Sequence, residues 1–253
     1  MKAVLEYKAV TVAYGGRTAA EDVSFVLHEG EALCLAGASG SGKSSLLRAA
    51  AGLLPSGGAV TGGSLLWEGR PLETLGEREW QRLRGSAIGL VFQNAGASFC
   101  PVRTIGSQIR EALSVRGKVT EEEARRRTVP LLEALGLADG ERVWRSYPHE
   151  LSGGMQQRAA LAAALVLSPR VLLADEATSA LDGAARQAVL RVLRRFREET
   201  GGAVLFTTHD RRTAEEADRV LVLRCGRLVR EGTAAEVFPS GGSLVHTEGR
   251  RRR

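Results

Sequence analysis

Nine consecutive residues, Gly37, Ala38, Ser39, Gly40, Ser41, Gly42, Lys43, Ser44 and Ser45, have the types and spacing to hold a chain of phosphates. Gly37, Gly42, Lys43 and Ser44 fill the pattern G-x-x-x-x-G-K-[ST]. Glycines let successive backbone N–H groups curl around an anion, and a following helix adds the positive end of its dipole. Lys43 then supplies a point charge for β and γ phosphates, and the Ser44 hydroxyl suits Mg²⁺. Chance alone produces such a match in about one chain of this length in a hundred. The rival dinucleotide pattern G-x-G-x-x-G, laid on Gly40 and Gly42, needs a glycine where Ser45 stands.

Parallel sheets place ligands beyond the carboxyl ends of their strands. The strand-like run "RVLLADE" (170–176) ends in Asp175, a carboxylate suited to Mg²⁺, and Glu176, able to orient and deprotonate a water. "SAIGLVFQ" (86–93) ends in Gln93, able to touch both metal and water, and "AVLFTTHD" (203–210) carries His209, able to bind a γ-phosphate oxygen. Singly, each residue type has an everyday structural use. Together at one sheet edge they point to nucleotide hydrolysis, with Glu176, His209 and Gln93 as catalytic candidates and Ser44, Gln93 and Asp175 as metal ligands. His28, His149 and His246 lack that setting and read as structural.

A second anion site is written in "LSGGMQQR" (151–158), where Ser152 stands at an N-cap position and Gly153 and Gly154 expose backbone N–H groups at a helix start. One nucleotide need not engage both sites of a single chain. A second copy, rotated head to tail, can bring its serine and glycines onto a phosphate held by the first.

The elements that must position these residues follow from hydrophobic pattern. Short apolar, β-rich runs at 31–37, 86–93, 170–176 and 203–210 read as buried strands, and "DGAARQAVLRVLRRFREE" (182–199) as the helix joining the last two. Strand, helix, strand implies a right-handed crossover and a parallel sheet. "VLEYKAVTVAYGG" reads as an antiparallel edge pair and "RVLVLRCGRLVREG" as a hairpin turning at Gly226. Three helical patterns between about 94 and 168 have no strand between them. The expected fold is α/β: a P-loop NTPase core (1–93 and 169–240) with a mainly parallel sheet and an antiparallel β edge, an inserted helical subdomain (94–168) and a basic tail (241–253), all within one domain.

Composition narrows the class. The 253 residues, 43% hydrophobic and 25% charged, suit a globular domain rather than a disordered or fibrous one. The longest apolar run, 159–167, is far short of the roughly 20 residues that span a bilayer, and the start "MKAVLEYKAV" has no signal-peptide pattern. Cys34, Cys100 and Cys225 form neither a disulfide framework nor a zinc site and are expected to be reduced and mostly buried. The net charge is +6, but only four of the 35 basic residues are lysine, a preference that resembles coding bias more than a nucleic-acid surface. No nucleic-acid partner is expected. Arg250–Arg253 read as a solvated tail.

With its motifs in order, the chain resembles the nucleotide-binding subunit of an ABC transporter. The resemblance rests on the Walker A "GASGSGKS", Q-loop "VFQN", signature "LSGGMQQR", Walker B "VLLADE", D-loop "SALD" (Ser179 to Asp182) and H-loop "TTHD", and spans roughly residues 3–240. It implies ATP and Mg²⁺ as cofactors, Tyr14 stacking on adenine, Asp182 near the nucleotide, and a head-to-tail dimer with a second ATPase, identical or paralogous. It also implies two transmembrane permease subunits, an extracytoplasmic solute-binding protein and a peripheral place on the cytoplasmic face of the cell membrane. "GLLP", "ASFCPVRTIGSQIREAL", "YPHELSGGMQQR" and "LLADEATSALD" are similar to importers of peptides and nickel, and the short end favours the nickel or metal-chelate branch. Ala177 stands where the family usually has proline, a tolerable change beyond the catalytic pair. The alternatives are an ABC-type ATPase of another transporter class and a non-transport one acting on ribosomes or DNA, which usually carries two cassettes or a long coiled coil. Neither pattern occurs here.

Overall fold

The structure, a computed structural model, describes residues 2–93, 95–115 and 117–238. Asn94 of the Q-loop, His246 and the 241–253 tail lie outside the described residues. In chain order the elements are β1 (Ala3–Tyr14), β2 (Arg17–His28), β3 (Ala32–Ala36), α1 (Lys43–Ala50), β4 (Gly58–Trp67), β5 (Arg70–Pro71), α2 (Glu77–Ser86), β6 (Ile88–Val91), α3 (Ile105–Ser114), α4 (Glu121–Ala134), α5 (Gly140–Arg145), α6 (Gly153–Leu165), β7 (Val171–Asp175), α7 (Gly183–Thr200), β8 (Ala203–Thr208), α8 (Arg211–Ala214), β9 (Arg219–Arg224), β10 (Arg227–Gly232) and α9 (Ala234–Val237). Two compact units result, Met1–Leu75 with Leu205–Arg253, and Gly76–Val204, so the boundary falls inside β8.

The first unit holds an antiparallel sheet in the order β2-β1-β4-β5 and the strands β10-β9-β3-β8 of a mixed sheet. β3 pairs parallel with β9, Cys34 opposite Val220, and β9 and β10 form the expected hairpin. Every residue of β3 is buried, which is why it reads as an unbroken apolar run rather than an alternation. Tyr7 of β1 stacks on Phe25 of β2 at 4.1 Å between ring centres, and its hydroxyl donates to the Leu46 carbonyl of α1 at 3.0 Å. Burial pushes the Tyr7 phenol pKa up, so it stays a neutral donor. The third strand, β4, was absent from the sequence reading because Gly58, Gly62 and Gly63 dilute its pattern. Gly63 (φ 73) sits beside a register shift in β1, where a Cβ would lie 2.2 Å from the Ala9 carbonyl oxygen.

In the second unit β6 and β7 pair in parallel, Ile88 opposite Val171, and β8 begins beside β7 with the Ala203 N–H donating to the Arg170 carbonyl at 2.9 Å. Helices α3 to α6 follow one another between β6 and β7. α5, too short to show a period, starts at Asp139, whose carboxylate accepts from the Arg142 N–H. Among the described residues no helix is long and apolar enough to cross a membrane.

The cysteine expectation needs correction. Cys34 is buried in β3, and burial pushes its thiol pKa up, but Cys100 and Cys225 are exposed. Cys225 occupies a left-handed position (φ 49) in the β9–β10 turn and Cys100 lies on a loop, so neither belongs to a packed face.

Candidate nucleotide-binding and hydrolysis site

In the first unit, residues 37–42 turn the chain from β3 into α1. A Cβ on Gly37 would lie 2.4 Å from the Leu223 carbonyl oxygen, and one on Gly42 (φ 103) 2.4 Å from that of Ala19, so only glycine fits either position. Gly42 stands at the N-cap of α1 with no side chain to cap it, so the helix start is open to an anion on that side. Lys43 is 5% exposed, and its ammonium donates to the Gly37 and Ala38 carbonyls, both at 2.8 Å. The Ser41 hydroxyl is buried with no hydrogen-bond partner. A loop with an uncapped helix start, a buried cation and an orphan hydroxyl fits a polyphosphate.

A brace invisible in the sequence holds this loop. The Gly226 N–H donates to the Ser41 carbonyl at 3.2 Å, and the Gly226 carbonyl accepts from the Glu21 N–H at 2.8 Å. Tyr14 lies against Gly58, where a Cβ would meet its ring at 2.6 Å, and its hydroxyl donates to Ser45 Oγ at 3.2 Å. His209 follows β8 and is exposed, just ahead of Asp210, which caps α8. His28 pairs with Glu31 at 3.0 Å and His149 stacks against Tyr147.

In the second unit Asp175 ends β7 at 3% exposure. Glu176 follows in a left-handed conformation (φ 49), with its carbonyl held by the Ser179 N–H at 3.1 Å and hydroxyl at 2.9 Å. The Gln93 side-chain amide donates to the Glu176 carboxylate at 3.2 Å, so two of the three catalytic candidates meet. Asp182 caps α7, accepting from the Ala185 N–H at 2.8 Å. Ser152 caps α6, accepting from the Met155 N–H at 3.3 Å. A Cβ on Gly153 would meet nothing within 4 Å, and one on Gly154 would make only an ordinary contact with Leu181 at 3.4 Å. Among the described residues no group of three or more His, Cys, Asp or Glu could hold a metal, so a divalent cation here would complete its shell with phosphate oxygens and water.

A family profile described as ABC transporter matches residues 20–179, the stretch that carries the phosphate loop, Gln93, the Ser152 helix start and Glu176. The chain belongs to the ABC transporter ATPase family. It is 40% identical over 233 residues to a probable peptide ABC transporter ATP-binding protein of Sinorhizobium fredii, covering 91% of this chain and 68% of that protein. It is 39% identical over 241 residues to an oligopeptide transport ATP-binding protein of Bacillus subtilis, covering 93% and 67%. A dimeric, post-hydrolysis structure of the ATP-binding cassette MJ0796 bound to ADP and Pi matches with a TM-score of 0.82 at 32% identity, over 91% of this chain and 98% of that one. The ABC ATPase described here is an α/β enzyme of that family, and ATP is its nucleotide.

Proposed function

We propose that this ATPase drives uptake of small peptides through two separate permease subunits, peripheral to the cytoplasmic face of the cell membrane. Both relatives above are named for peptide or oligopeptide transport, which supports peptides over nickel or a metal chelate. A solute-binding protein outside the membrane would deliver the cargo. The cassette works as a head-to-tail pair with an identical or paralogous ATPase, a reading supported by the similar MJ0796 cassette being dimeric.

The observation that carries the catalytic reading is the contact between the Gln93 amide and the Glu176 carboxylate. Tyr14 stacks on adenine, residues 37–45 wrap the phosphates, and Ser152, Gly153 and Gly154 reach a nucleotide held by the partner copy. Asp182 lies near that nucleotide. Ser44, Gln93 and Asp175 would hold Mg²⁺, which would neutralise phosphate charge. Glu176 takes a proton from the attacking water, Gln93 orients that water and His209 binds a γ-phosphate oxygen. Glu176→Gln should spare ATP binding and lower turnover by about 10²- to 10⁴-fold.

An open groove of about 450 Å³, lined by Leu90, Phe92, Phe99, Arg103, Ile109 and Ala160 among others, adjoins the Gln93 segment and suits a permease segment. The test is ATP hydrolysis by the chain reconstituted in vesicles with the permeases that co-purify with it. Stimulation by a peptide-loaded binding protein is expected. Stimulation by nickel alone would overturn the peptide reading.

A further inference from the structure

The glycines of "LSGGMQQR" are followed by three polar side chains that each reach a backbone carbonyl elsewhere in the second unit. Gln156 Nε2 donates to the Pro148 carbonyl at 2.7 Å and to that of Leu151 at 3.1 Å. Gly96 passes so close to Gln156 that a Cβ there would lie 1.9 Å from its Oε1. Arg158 donates to the Gly154 and Gly136 carbonyls at 3.0 and 2.8 Å. Gln157, 4% exposed, donates from Nε2 to the Phe92 carbonyl at 3.2 Å. β6 ends at Val91, so Phe92 has already left the strand, and the next residue is Gln93, which donates to Glu176.

We propose that Gln157 is a positioning residue: it fixes the Gln93 backbone, and through Gln93 the Glu176 carboxylate, to the helix that begins at Ser152. A buried amide that donates to a carbonyl resists displacement because breaking the pair strands both groups away from water. Movement of α6 on engaging a phosphate at its start is therefore imposed on Gln93, one residue from the Phe92 carbonyl. The inference rests on the hydrolytic roles proposed for Gln93 and Glu176.

A double-mutant cycle on the full chain, assembled with its co-purifying permeases, tests it. Gln157→Leu should lower the kcat for ATP roughly 10-fold, as expected for a displaced water-orienting group, while KM stays within about twofold. In a Gln93→Ala background it should cause no further loss, because the group it positions is gone. A purely structural amide would instead cost the same factor in both backgrounds. Equal loss in both, an unchanged kcat, or an effect confined to KM would each overturn the proposal. Should Gln157→Leu fail to fold, Gln157→Asn runs the same cycle: it keeps a buried amide and falls one methylene short of the carbonyl. Gln93→Ala or Glu176→Gln turning over at the wild-type rate would sink the site assignment itself, and this inference with it.

Discussion

A methyl group added to Gly37 or Gly42 would sit 2.4 Å from a backbone carbonyl oxygen, whereas one added to Gly153 would meet nothing within 4 Å. Both stretches bring backbone N–H groups to a helix start, and both read as anion sites in the sequence. In the phosphate loop glycine is demanded by the chain's own fold, and α1 has no capping side chain. At α6 the cap is supplied by Ser152, and the chain itself has room for a side chain at Gly153. The contrast separates glycine required for folding from glycine that keeps space for something outside the chain. The second use fits a phosphate carried by another copy.

Four experiments would break or sharpen this contrast. The largest effect is expected from Gly42→Ala, which places a Cβ against the Ala19 carbonyl at φ 103. Strain of about 3 kcal/mol should lower the melting temperature and weaken ATP binding about 100-fold in calorimetric titration; wild-type affinity would show that the loop tolerates what its geometry forbids. Gly153→Val should leave thermal stability and ATP affinity of the isolated chain within about twofold, yet lower hydrolysis in the assembled transporter at least about 10-fold. A matching fall in isolated-chain stability would erase the distinction. In the isolated chain Ser152→Ala removes the α6 cap and should cost about 1 kcal/mol in denaturant unfolding. The mildest probe is thiol labelling: Cys100 and Cys225 should react in the native protein, and Cys34, on the strand that feeds the phosphate loop, only on unfolding. Rapid native labelling of Cys34 would mean that β3 opens locally.

Strands β3, β6, β7 and β8 were legible because buried strands of parallel type carry unbroken apolar runs. The β9–β10 hairpin was legible from its apolar run and turn glycine, whereas the stretch read as a pair is the single strand β1, whose partner is β2, beyond it. β4 was not, since Gly58, Gly62 and Gly63 dilute its apolar pattern, the last two beside a register shift in β1. The strand-end rule put Gln93 and Glu176 in one neighbourhood, and the structure joins them by a hydrogen bond across 83 residues of sequence. No comparable rule exists for Gln157, whose partner lies 65 residues earlier, or for the Gly226 N–H that braces Ser41. Backbone carbonyls are anonymous in a sequence, so contacts to them come to light only in three dimensions.

The left-handed backbone at Glu176 (φ 49) sets local backbone strain against the catalytic role proposed for the same residue. Glycine adopts that conformation freely, whereas any larger side chain there carries about 1 kcal/mol of strain. Glu176→Gly would relieve that strain, but glycine's greater freedom in the unfolded chain and the lost Gln93 contact offset the gain, and the proposed general base would go with it. Efforts to harden this chain for handling have to leave that strain in place.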